Sequence, residues 1–512
     1  MCNNILEILL KNGEKYSTSV ALVDDECTYS WGHVVKEVQS IATALLKLGI
    51  CKANGNRPVP VLMKKSVREI CTFWAIAYTG NFYVPLDEKM PNDRISLILS
   101  TLETETMICD ETYGDKAREI TKAVYRVEEL VQSEINEMLI NQTKNAIIDT
   151  DPLYTLFTSG STGVPKGVIC NHRSVISYSQ WVVETFRFDS HTVMGNQTPF
   201  YFSMSILDLY SILRCGGTLI VIPKKLYMQP VKLIGYMNEK KVNTIYWVPS
   251  ALSLISKLKV LEKHKVESLE KVLFAGEVMP TKQLNYWRRN APEVLYANLF
   301  GPTEITDIGT YYIVDRVFDD EEPIPIGRAC ANVGILILND ELKEVKQGEV
   351  GELFFRGSFL GMGYYGDDQK TAESYIQNPL NKKYPEVVYR SGDLVKVNKQ
   401  NEILYVGRKD QQIKHMGYRI EMGEIENSFN AIQGVDRVCC FLDEEKDKIV
   451  AVYTLDGKET ITNKELIVQL ERKLPKYMVP NVFIETETVP LNANGKIDRK
   501  LLKERYKKND RC

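Results

Sequence analysis

The sequence predicts an α/β protein with a large N-terminal domain and a small α+β C-terminal domain. A chain of 512 residues is too long for one hydrophobic core, so two or more domains are expected. Strand-like apolar segments alternate with segments of helical spacing to about residue 320, which favours βαβ units with parallel sheets. From Val333 short strands punctuated by glycine follow, and these are typical of a small β-barrel-like subdomain.

The βαβ pattern lies in the N-terminal lobe. Two predicted strands, Val59–Met63 and Phe82–Leu86, flank a helix that Ser66 should cap and Gly80 should end. The same apolar spacing predicts a helix at Ile5–Leu10, a hairpin of Ser19–Val23 with Glu26–Tyr29, and a helix at Trp31–Leu48.

A polar segment that ends at Asp410 divides the remaining chain. We predict an N-terminal core of residues 1–409, made of two βαβ-type lobes with a β-rich subdomain at about 333–409, and a C-terminal domain of residues 410–512. The predicted elements before the division are a helix at Ser174–Phe186 and strands at Thr218–Val221, Val242–Val248 and Lys271–Phe274. Those after it are strands at Arg437–Leu442 and Ile449–Thr454 and a helix at Asn463–Leu474.

Composition excludes several classes of protein. A net charge of −3 gives no reason to expect nucleic acid or a membrane surface as a partner. No segment has the 18 apolar residues of a membrane span, and Glu7 interrupts the apolar N-terminal run, which argues against a signal peptide. The 11 cysteines form no C-x-x-C pair and the five histidines are scattered, so we expect reduced cysteines, no zinc site and a cytoplasmic location.

A glycine- and hydroxyl-rich loop after a predicted strand is the strongest chemical signal. The segment Thr155–Val168 reads TLFTSGSTGVPKGV. Its glycines allow the backbone to approach a ligand, while its N–H groups, hydroxyls and Lys166 can hold oxyanions. The spacing differs from that of a Walker loop. A flexible linker would not return at once to an apolar strand, so we interpret the segment as a phosphate-binding loop.

This loop and six further motifs resemble the adenylate-forming superfamily, which includes acyl-CoA ligases, luciferases and the adenylation enzymes of nonribosomal peptide and D-alanyl-lipoteichoic acid synthesis. The motifs keep the order and spacing of the family over residues 155–498. Besides the loop they are NLFGPTE (298–304), GEL (351–353), YRSGD (389–393), GRKD (407–410), GYRIE (417–421) and NGKID (494–498).

The resemblance implies that ATP and Mg²⁺ are the cofactors and that a carboxylic acid becomes an acyl-AMP. Bringing two anions together makes positioning and charge neutralisation the main tasks of such a protein. By resemblance Glu304 ligates Mg²⁺ and Asp393 and Arg408 hold the ribose. Asn298 and Phe300 would flank the adenine, with Phe300 where the family usually has Tyr. The other implied nucleotide-binding residues are Thr158, Ser159, Gly160, Ser161, Thr162, Gly163, Lys166, Gly301 and Thr303.

Three C-terminal residues take catalytic roles by resemblance. Lys496 is the catalytic lysine of adenylate formation, although a lysine in an Asn-Gly-Lys turn is by itself most often solvated. Asp410 is the hinge about which a mobile C-terminal domain rotates between two half-reactions. The Gly417 loop would then line a tunnel for a phosphopantetheine thiol.

The acid pocket departs from the family pattern. Members that activate α-amino acids carry Asp where this sequence has Ser203, and a hydroxyl cannot neutralise a buried ammonium. Asp307 is the one acidic pocket residue. Either it binds an amine placed further from the carboxylate, as in a β- or ω-amino acid or a shifted α-amino acid, or the substrate has no amine and Asp307 faces away or binds a hydroxyl. The other inferred pocket residues are Phe202, Met204, Leu207, Ala251, Leu273, Ala275, Leu299 and Ile308.

No carrier-protein or condensation motif is present, so the resemblance implies a freestanding enzyme whose acceptor is a separate phosphopantetheinylated carrier protein. An aryl- or acyl-CoA ligase is the first alternative, and a non-catalytic nucleotide-binding scaffold is the second. The scaffold requires lost catalytic groups, whereas Lys166, Glu304, Asp393 and Lys496 are all present.

Overall fold

A computed structural model describes residues 3–51, 55–160, 164–410, 412–456, 461–490 and 497–509. The helices within these ranges are α1 (Ile5–Lys15), α2 (Trp31–Lys47), α3 (Val67–Tyr78), α4 (Asn92–Leu102), α5 (Gly114–Ile120), α6 (Val127–Leu130), α7 (Glu137–Ala146), α8 (His172–Phe186), α9 (Met204–Cys215), α10 (Pro230–Glu239), α11 (Pro249–Lys257), α12 (Thr281–Asn290), α13 (Asp368–Ser374), α14 (Met422–Asn430), α15 (Asn463–Lys473) and α16 (Arg499–Asn509).

The strands are β1 (Val20–Val23), β2 (Thr28–Ser30), β3 (Pro58–Leu62), β4 (Phe82–Pro85), β5 (Thr106–Cys109), β6 (Ala123–Arg126), β7 (Pro152–Thr158), β8 (Lys166–Asn171), β9 (Val193–Asn196), β10 (Thr218–Val221), β11 (Thr244–Trp247), β12 (Lys271–Phe274), β13 (Leu295–Phe300), β14 (Thr310–Ile313), β15 (Arg328–Ala329), β16 (Val333–Leu338), β17 (Val350–Gly357), β18 (Gly363–Tyr364), β19 (Tyr375–Gln377), β20 (Val387–Val397), β21 (Ile403–Arg408), β22 (Gln412–His415), β23 (Tyr418–Glu421), β24 (Val435–Asp443), β25 (Lys448–Leu455) and β26 (Val482–Glu485).

These strands form two large sheets and three smaller ones. The orders in the large sheets are β15-β14-β13-β12-β11-β9-β10-β1-β2 and β18-β8-β7-β4-β3-β5-β6. The β-rich segment forms a sheet of order β16-β17-β20-β19 in which β21 also pairs with β20. In the C-terminal segment, β22 pairs with β23, and β24, β25 and β26 form a three-stranded sheet. The predicted mixed α/β fold, with a large N-terminal and a smaller C-terminal part, is confirmed.

The predicted βαβ unit is present and has the predicted helix cap. β3 and β4 pair in parallel, and α3 connects them. Ser66 accepts a hydrogen bond from the backbone N–H of Glu69, as expected for an N-cap, and Gly80 has a φ of +69° where the helix ends. Local propensity and apolar spacing therefore suffice to specify this unit.

One strand of the β-rich segment pairs outside its own sheet. β18 pairs antiparallel with β8, which follows the phosphate-binding loop, through Gly363 with Ile169 and Tyr364 with Val168. Short strands with glycine punctuation predict that β-structure exists here, but they carry no information about which sheet edge each strand joins.

The chain separates into two compact units. The first comprises residues 1–88, 102–156 and 167–409, and the second comprises residues 89–101, 157–166 and 410–512. The second unit thus contains most of α4 and the phosphate-binding loop as well as the C-terminal segment. The predicted division into residues 1–409 and 410–512 follows sequence order, whereas these units are grouped by contacts, so the predicted domain boundary stays a prediction.

The first unit has two large apolar cores. The larger one joins side chains of both large sheets to α2, α3, α8 and α9, with Trp31, Trp74 and Tyr178 among its fully buried members. The second surrounds Trp247 and Trp287 beneath α10, α11 and α12. Most of the nine cysteines in the described residues are buried, and all nine are free thiols, as expected. No described helix is both long enough and apolar enough to cross a bilayer.

The burial of His172 predicts that the folded protein loses stability in acid. Its Nδ1 accepts a hydrogen bond from the Ile5 N–H (3.3 Å) at the start of α1, and burial lowers the pKa of its ring from 6.5 to about 3. The unfolded chain protonates this ring near its ordinary pKa, so the stability is complete above pH 6.5 and falls toward pH 3. At pH 5 the loss should be about 2 kcal/mol, from roughly 1.5 pH units at 1.4 kcal/mol each.

Replacing His172 by Asn keeps an acceptor but removes the titration. We expect the difference between urea midpoints at pH 7 and pH 5 to shrink for His172→Asn relative to the wild type. His264→Asn, a change at an exposed histidine, is the matched control and should leave that difference unchanged. An equal acid sensitivity of His172→Asn and the wild type would refute the assignment.

Candidate active site

Strand β13 and the turn after it carry the NLFGPTE motif in the first unit. Asn298 is buried and donates a hydrogen bond from Nδ2 to the Pro325 carbonyl (2.9 Å). The Phe300 ring lies 5.6 Å from the Tyr405 ring, centroid to centroid. A Cβ at Gly301 would lie 2.3 Å from the Asp307 carbonyl oxygen, so only glycine permits this close approach.

Glu304 is fully buried in the turn that follows β13. Its Oε1 accepts a hydrogen bond from the Tyr364 hydroxyl (2.8 Å), and its backbone carbonyl accepts from the Tyr375 hydroxyl (3.1 Å). No cluster of three or more His, Cys, Asp or Glu side chains in the described ranges is placed to hold a metal ion. A single oriented carboxylate still fits Mg²⁺, which keeps several waters and uses substrate phosphates as its other ligands.

Asp393 and Arg408 meet as a cross-strand pair. They are register partners on the antiparallel strands β20 and β21, and Arg408 Nη1 donates to Asp393 Oδ1 at 2.9 Å. Asp393 is 2 % exposed, so this carboxylate is held in one orientation. The resemblance-based prediction pairs these two residues at one nucleotide sugar, and the geometry brings them together.

A second ion-pair group explains the GEL and YRS motifs. Glu352 makes a two-point contact with Arg390 (2.8 and 2.9 Å), and Lys409 Nζ lies 3.3 Å from Glu352 and 2.6 Å from Asp340. These residues join β17, β20 and the end of β21. They fix the strands that carry Asp393 and Arg408.

Asp307 is presented by a strained turn. Its backbone N–H donates to the Ile305 carbonyl (2.9 Å) across Thr306, which has φ +73° and ψ −57°. This is the rare γ-turn, a conformation that a β-branched residue adopts only when its surroundings enforce it. The Thr306 hydroxyl donates to the Phe359 carbonyl (2.8 Å), and the Tyr154 hydroxyl donates to the Thr306 carbonyl (3.3 Å).

The Asp307 carboxylate lies in the protein interior between two tyrosines. The hydroxyls of Tyr178 and Tyr246 both donate to its Oδ2, at 2.7 and 3.1 Å, and Asp307 is 1 % exposed. Burial, and then the Asp307 charge, raise the pKa of both tyrosines well above the ordinary value. Both hydroxyls therefore stay protonated and remain hydrogen-bond donors to the carboxylate.

The remaining inferred pocket residues fit an apolar compartment. Leu273 on β12 is the register partner of Tyr246 on β11, and the sulfur of Met204 lies 3.3 Å from the position of a Cβ at Gly276. Met204, Leu207, Leu273, Ala275, Leu299 and Ile308 are buried members of the larger core of the first unit, and Ala251 packs against both large cores while partly exposed. Phe202 is also partly exposed.

Ser203 stands where the family's α-ammonium aspartate is expected. The Thr303 hydroxyl donates to its hydroxyl at 3.4 Å, so it is joined to the NLFGPTE turn. The nearby Asp208 is not at the position of that aspartate. It is fully buried on α9 and accepts a hydrogen bond from Asn196 Nδ2 (2.6 Å), and burial raises its pKa well above the ordinary range. Asp208 is therefore a structural residue.

The sequence interpretation missed Tyr178 and Tyr246. Both lie in apolar segments, one on α8 and one on β11, and both read as ordinary core residues. Alternation of a tyrosine among aliphatic residues gives no sign that its hydroxyl meets a buried acid more than 60 positions away. Only the phenolic groups themselves, which need a partner when buried, hinted at a polar contact.

The phosphate-binding loop belongs to the second unit. A Cβ at Gly160 would lie 2.0 Å from the Val164 carbonyl oxygen, so this close approach requires glycine at position 160. The buried Thr158 hydroxyl has no hydrogen-bond partner among the described residues, which fits a group that awaits a phosphate oxygen. Ser161, Thr162 and Gly163 lie outside the described residues.

The Gly417 turn and Asp410 also lie in the second unit. Met416 and Gly417 have φ of +52° and +81° and form the two-residue hairpin between β22 and β23. Asp410 is exposed and its Oδ1 accepts from the Gln412 N–H (3.1 Å). Lys496 lies outside the described residues, so its catalytic role stays a prediction.

Comparison with known proteins agrees with the motifs. The profile of the AMP-binding enzyme family matches residues 9–365, and that of the AMP-binding enzyme C-terminal domain matches residues 424–496. The chain is 29 % identical over 505 residues to gramicidin S synthase 2 of Aneurinibacillus migulanus, covering 98 % of this chain but only 11 % of that protein. It is 28 % identical over 513 residues to the D-alanine–D-alanyl carrier protein ligase of Bacillus licheniformis, covering 98 % and 99 %.

A solved structure has a similar fold. The Vibrio cholerae adenylation domain AlmE, solved with glycyl-adenosine-5′-phosphate, superposes with a TM-score of 0.84 at 21 % identity, covering 99 % of this chain and 98 % of that one. From the profile matches and the motifs together, this chain belongs to the AMP-binding enzyme family, the adenylate-forming superfamily that its motifs resemble.

Proposed function

We propose that this protein uses ATP to activate a small amine-bearing carboxylic acid as its acyl-AMP and then passes the acyl group to the phosphopantetheine thiol of a separate carrier protein. Its amine is placed further from the carboxylate than in the usual α-amino acid substrates, as in a β- or ω-amino acid.

The environment of Asp307 is the observation that supports an amine-bearing substrate. The carboxylate is 1 % exposed and receives hydroxyls from Tyr178 and Tyr246. A buried ionised carboxylate is costly unless a charge or several hydrogen bonds compensate it, and a substrate ammonium supplies both. Tyr178 and Tyr246 orient the carboxylate of Asp307, and a negative charge in this buried position would attract a substrate ammonium strongly.

Ser203 argues against binding of the substrate ammonium at the usual α-position. It occupies the position that holds the α-ammonium aspartate in amino-acid-activating relatives, and its neighbour is the hydroxyl of Thr303. Two hydroxyls can accept hydrogen bonds but cannot balance a desolvated charge. The negative charge of the pocket has moved to Asp307, and we infer that the amine of the substrate has moved with it.

The proposed chemistry is an in-line attack of the carboxylate on the α-phosphate of ATP, with pyrophosphate leaving. In this proposal Thr158, Ser159, Gly160 and Lys166 grip the phosphates, and Asp393 with Arg408 orients the ribose. Mg²⁺ at Glu304 would neutralise phosphate charge when bound. The flat ring of Phe300 can stack on adenine as the usual Tyr does, since the change removes a hydroxyl and keeps the ring face.

The proposed acceptor follows from the relatives. The D-alanine–D-alanyl carrier protein ligase is matched over 99 % of its length, and its name states a carrier protein as the acceptor. Gramicidin S synthase 2 is matched over 11 % of its length, as expected if one module of a larger assembly line resembles this chain. Ser203 argues against D-alanine itself as the substrate.

Pyrophosphate exchange tests the proposal. The purified chain is incubated with ATP, Mg²⁺ and labelled pyrophosphate, and with single acids from a panel of α-, β- and ω-amino, aryl and hydroxy acids. We expect exchange to be strongest with a β- or ω-amino acid and to fall at least tenfold with the same acid lacking its amine. Strongest exchange with an aryl or hydroxy acid would refute the proposal that the substrate carries an amine. No exchange with any acid would favour a non-catalytic scaffold.

The acceptor is decided in a second assay. Once the acid is known, thioester formation is followed with free CoA and with phosphopantetheinylated carrier proteins. Rapid loading of a carrier protein at micromolar concentration supports the proposal. Equal or better transfer to free CoA identifies a CoA ligase instead.

A further inference from the structure

Two acidic residues of the C-terminal segment contact the phosphate-binding loop within the second unit. Glu421 Oε1 lies 3.7 Å from Lys166 Nζ, and each side chain is only 12 % exposed. Glu424, at 0 % exposure, forms a buried ion pair with Arg94. Burial raises the pKa of Glu424, while the Arg94 guanidinium and the Gly160 N–H, which faces the carboxylate, both act to lower it. The loop's lysine and one of its backbone donors therefore each face a carboxylate.

Further contacts hold the two segments in register. The Ser159 hydroxyl donates to the Arg419 carbonyl (2.8 Å) and accepts from the Glu421 N–H (3.2 Å). Ser159, one of the hydroxyl donors of the loop, thus contacts the same β23 strand that carries Glu421. Backbone and side chains act together, so the contact is specific in register as well as in charge.

The groups that these carboxylates contact are the ones proposed to grip phosphate. A lysine ammonium and a loop N–H are donors that favour anions of any kind, whether phosphate or carboxylate. The same donors cannot serve a carboxylate and a phosphate oxygen together, because two anions within contact distance repel each other. Occupation by Glu421 and Glu424 and occupation by phosphate therefore exclude one another.

We propose that Glu421 and Glu424 are built-in competitors of pyrophosphate: they take over the phosphate-binding loop after adenylate formation, and so favour release of this product and hold the C-terminal segment on the loop. The inference rests on the proposed role of the loop in holding nucleotide phosphates. It assigns to the two acids of this segment a function in product release that is separate from the chemistry of Lys496.

The competition has a measurable size. A ligand that binds a site only when a competing contact is open has its affinity lowered by the open fraction. If the acids cover the loop about nine-tenths of the time, the apparent affinity for pyrophosphate is about tenfold weaker than that of an uncovered loop. Neutralising the acids should recover this factor.

Calorimetric titration of the full chain with magnesium pyrophosphate tests the inference. We expect Glu421→Gln to bind about threefold, and the double variant Glu421→Gln/Glu424→Gln about tenfold, more tightly than the wild type. The amide introduced by Glu421→Gln keeps an oxygen for Gln412 Nε2, which donates to Glu421 at 2.6 Å, so local structure is retained. If the buried Glu424 change impairs folding, the single variant decides.

Two controls separate the possible failures. Glu471→Gln makes the same charge change at an exposed position of α15 and should leave the affinity unchanged; equal tightening there would overturn the inference as a general charge effect. Lys166→Ala should weaken binding at least tenfold. Unaltered binding by Glu421→Gln, with Lys166→Ala weakened, sinks the competitor role alone, whereas no effect of Lys166→Ala removes the phosphate role of the loop and the inference with it.

Discussion

Replacing Asp307 by Asn is expected to reduce kcat/KM for the amine-bearing substrate by about 100-fold or more. Leaving a desolvated ammonium without its counter-charge costs about 3–5 kcal/mol, and each 1.4 kcal/mol is a factor of ten. Asn has almost the same shape as Asp, and its carbonyl oxygen still accepts from Tyr178 and Tyr246, so the pocket should keep its form. Pyrophosphate exchange with the best amine-bearing acid and with its des-amino counterpart gives the measurement.

The ratio between those two acids is the decisive quantity. Asp307→Asn should lower the preference for the amine strongly while it changes the rate with the des-amino acid little. Asp208→Asn is the matched control, because Asp208 is an equally buried acid whose raised pKa already favours the neutral form that Asn imitates. Asp208→Asn should leave the ratio between the two acids unchanged, whatever it does to the two rates. An unaltered ratio in Asp307→Asn would show that the Asp307 carboxylate does not bind the substrate amine.

The expected sensitivity to Asp307→Asn follows from the burial of the inferred pocket residues. Leu207, Leu273 and Leu299 are at most 1 % exposed and, like Asp307, lie in the interior of the first unit. Charge interactions are far stronger in such an environment than in water. In the proposed site, one buried acid would therefore discriminate among substrate acids of similar size, and the strained γ-turn at Thr306 fixes the position of this residue.

Local patterns predicted the elements of the fold. The Ser66 cap, the parallel pairing of β3 with β4 and the division of the C-terminal segment into strands and helix all follow from spacing and turn chemistry within a few residues. Asp393 and Arg408 were predicted to act together because the family motifs place them so. The antiparallel register of β20 and β21 gives the physical reason.

Contacts between distant segments were beyond the sequence. Tyr178, Tyr246 and Asp307 come from three elements, and no periodicity links them. Likewise Glu421 is an unremarkable acid in the GYRIE motif until the structure places it 3.7 Å from Lys166, which is 255 positions earlier (421 − 166). Long-range pairing depends on how sheets and units assemble, and that information is spread over hundreds of side chains.

Lys496 carries the other large expected effect. The lysine follows Asn494-Gly495 in a segment that the family places at the reacting carboxylate and α-phosphate. There its interaction with these groups would be stronger in the transition state than in the ground state. Removing one such positioned charge should lower the rate of adenylate formation by about 10²–10³-fold. Lys496→Ala should therefore almost abolish pyrophosphate exchange.

Measurements of folding stability and of thioester formation distinguish a catalytic role of Lys496 from a structural one. A turn lysine contributes little to folding, so the urea midpoint of Lys496→Ala should match that of the wild type, and Lys464→Ala at an exposed position of α15 should be silent in every assay. When the acyl-AMP is supplied ready-made, Lys496→Ala should load the acceptor thiol at the wild-type rate, because the lysine acts before the adenylate exists. Intact pyrophosphate exchange in this variant would contradict the role, and a parallel loss of thioester formation would mean that the lysine supports the whole C-terminal segment rather than one chemical step.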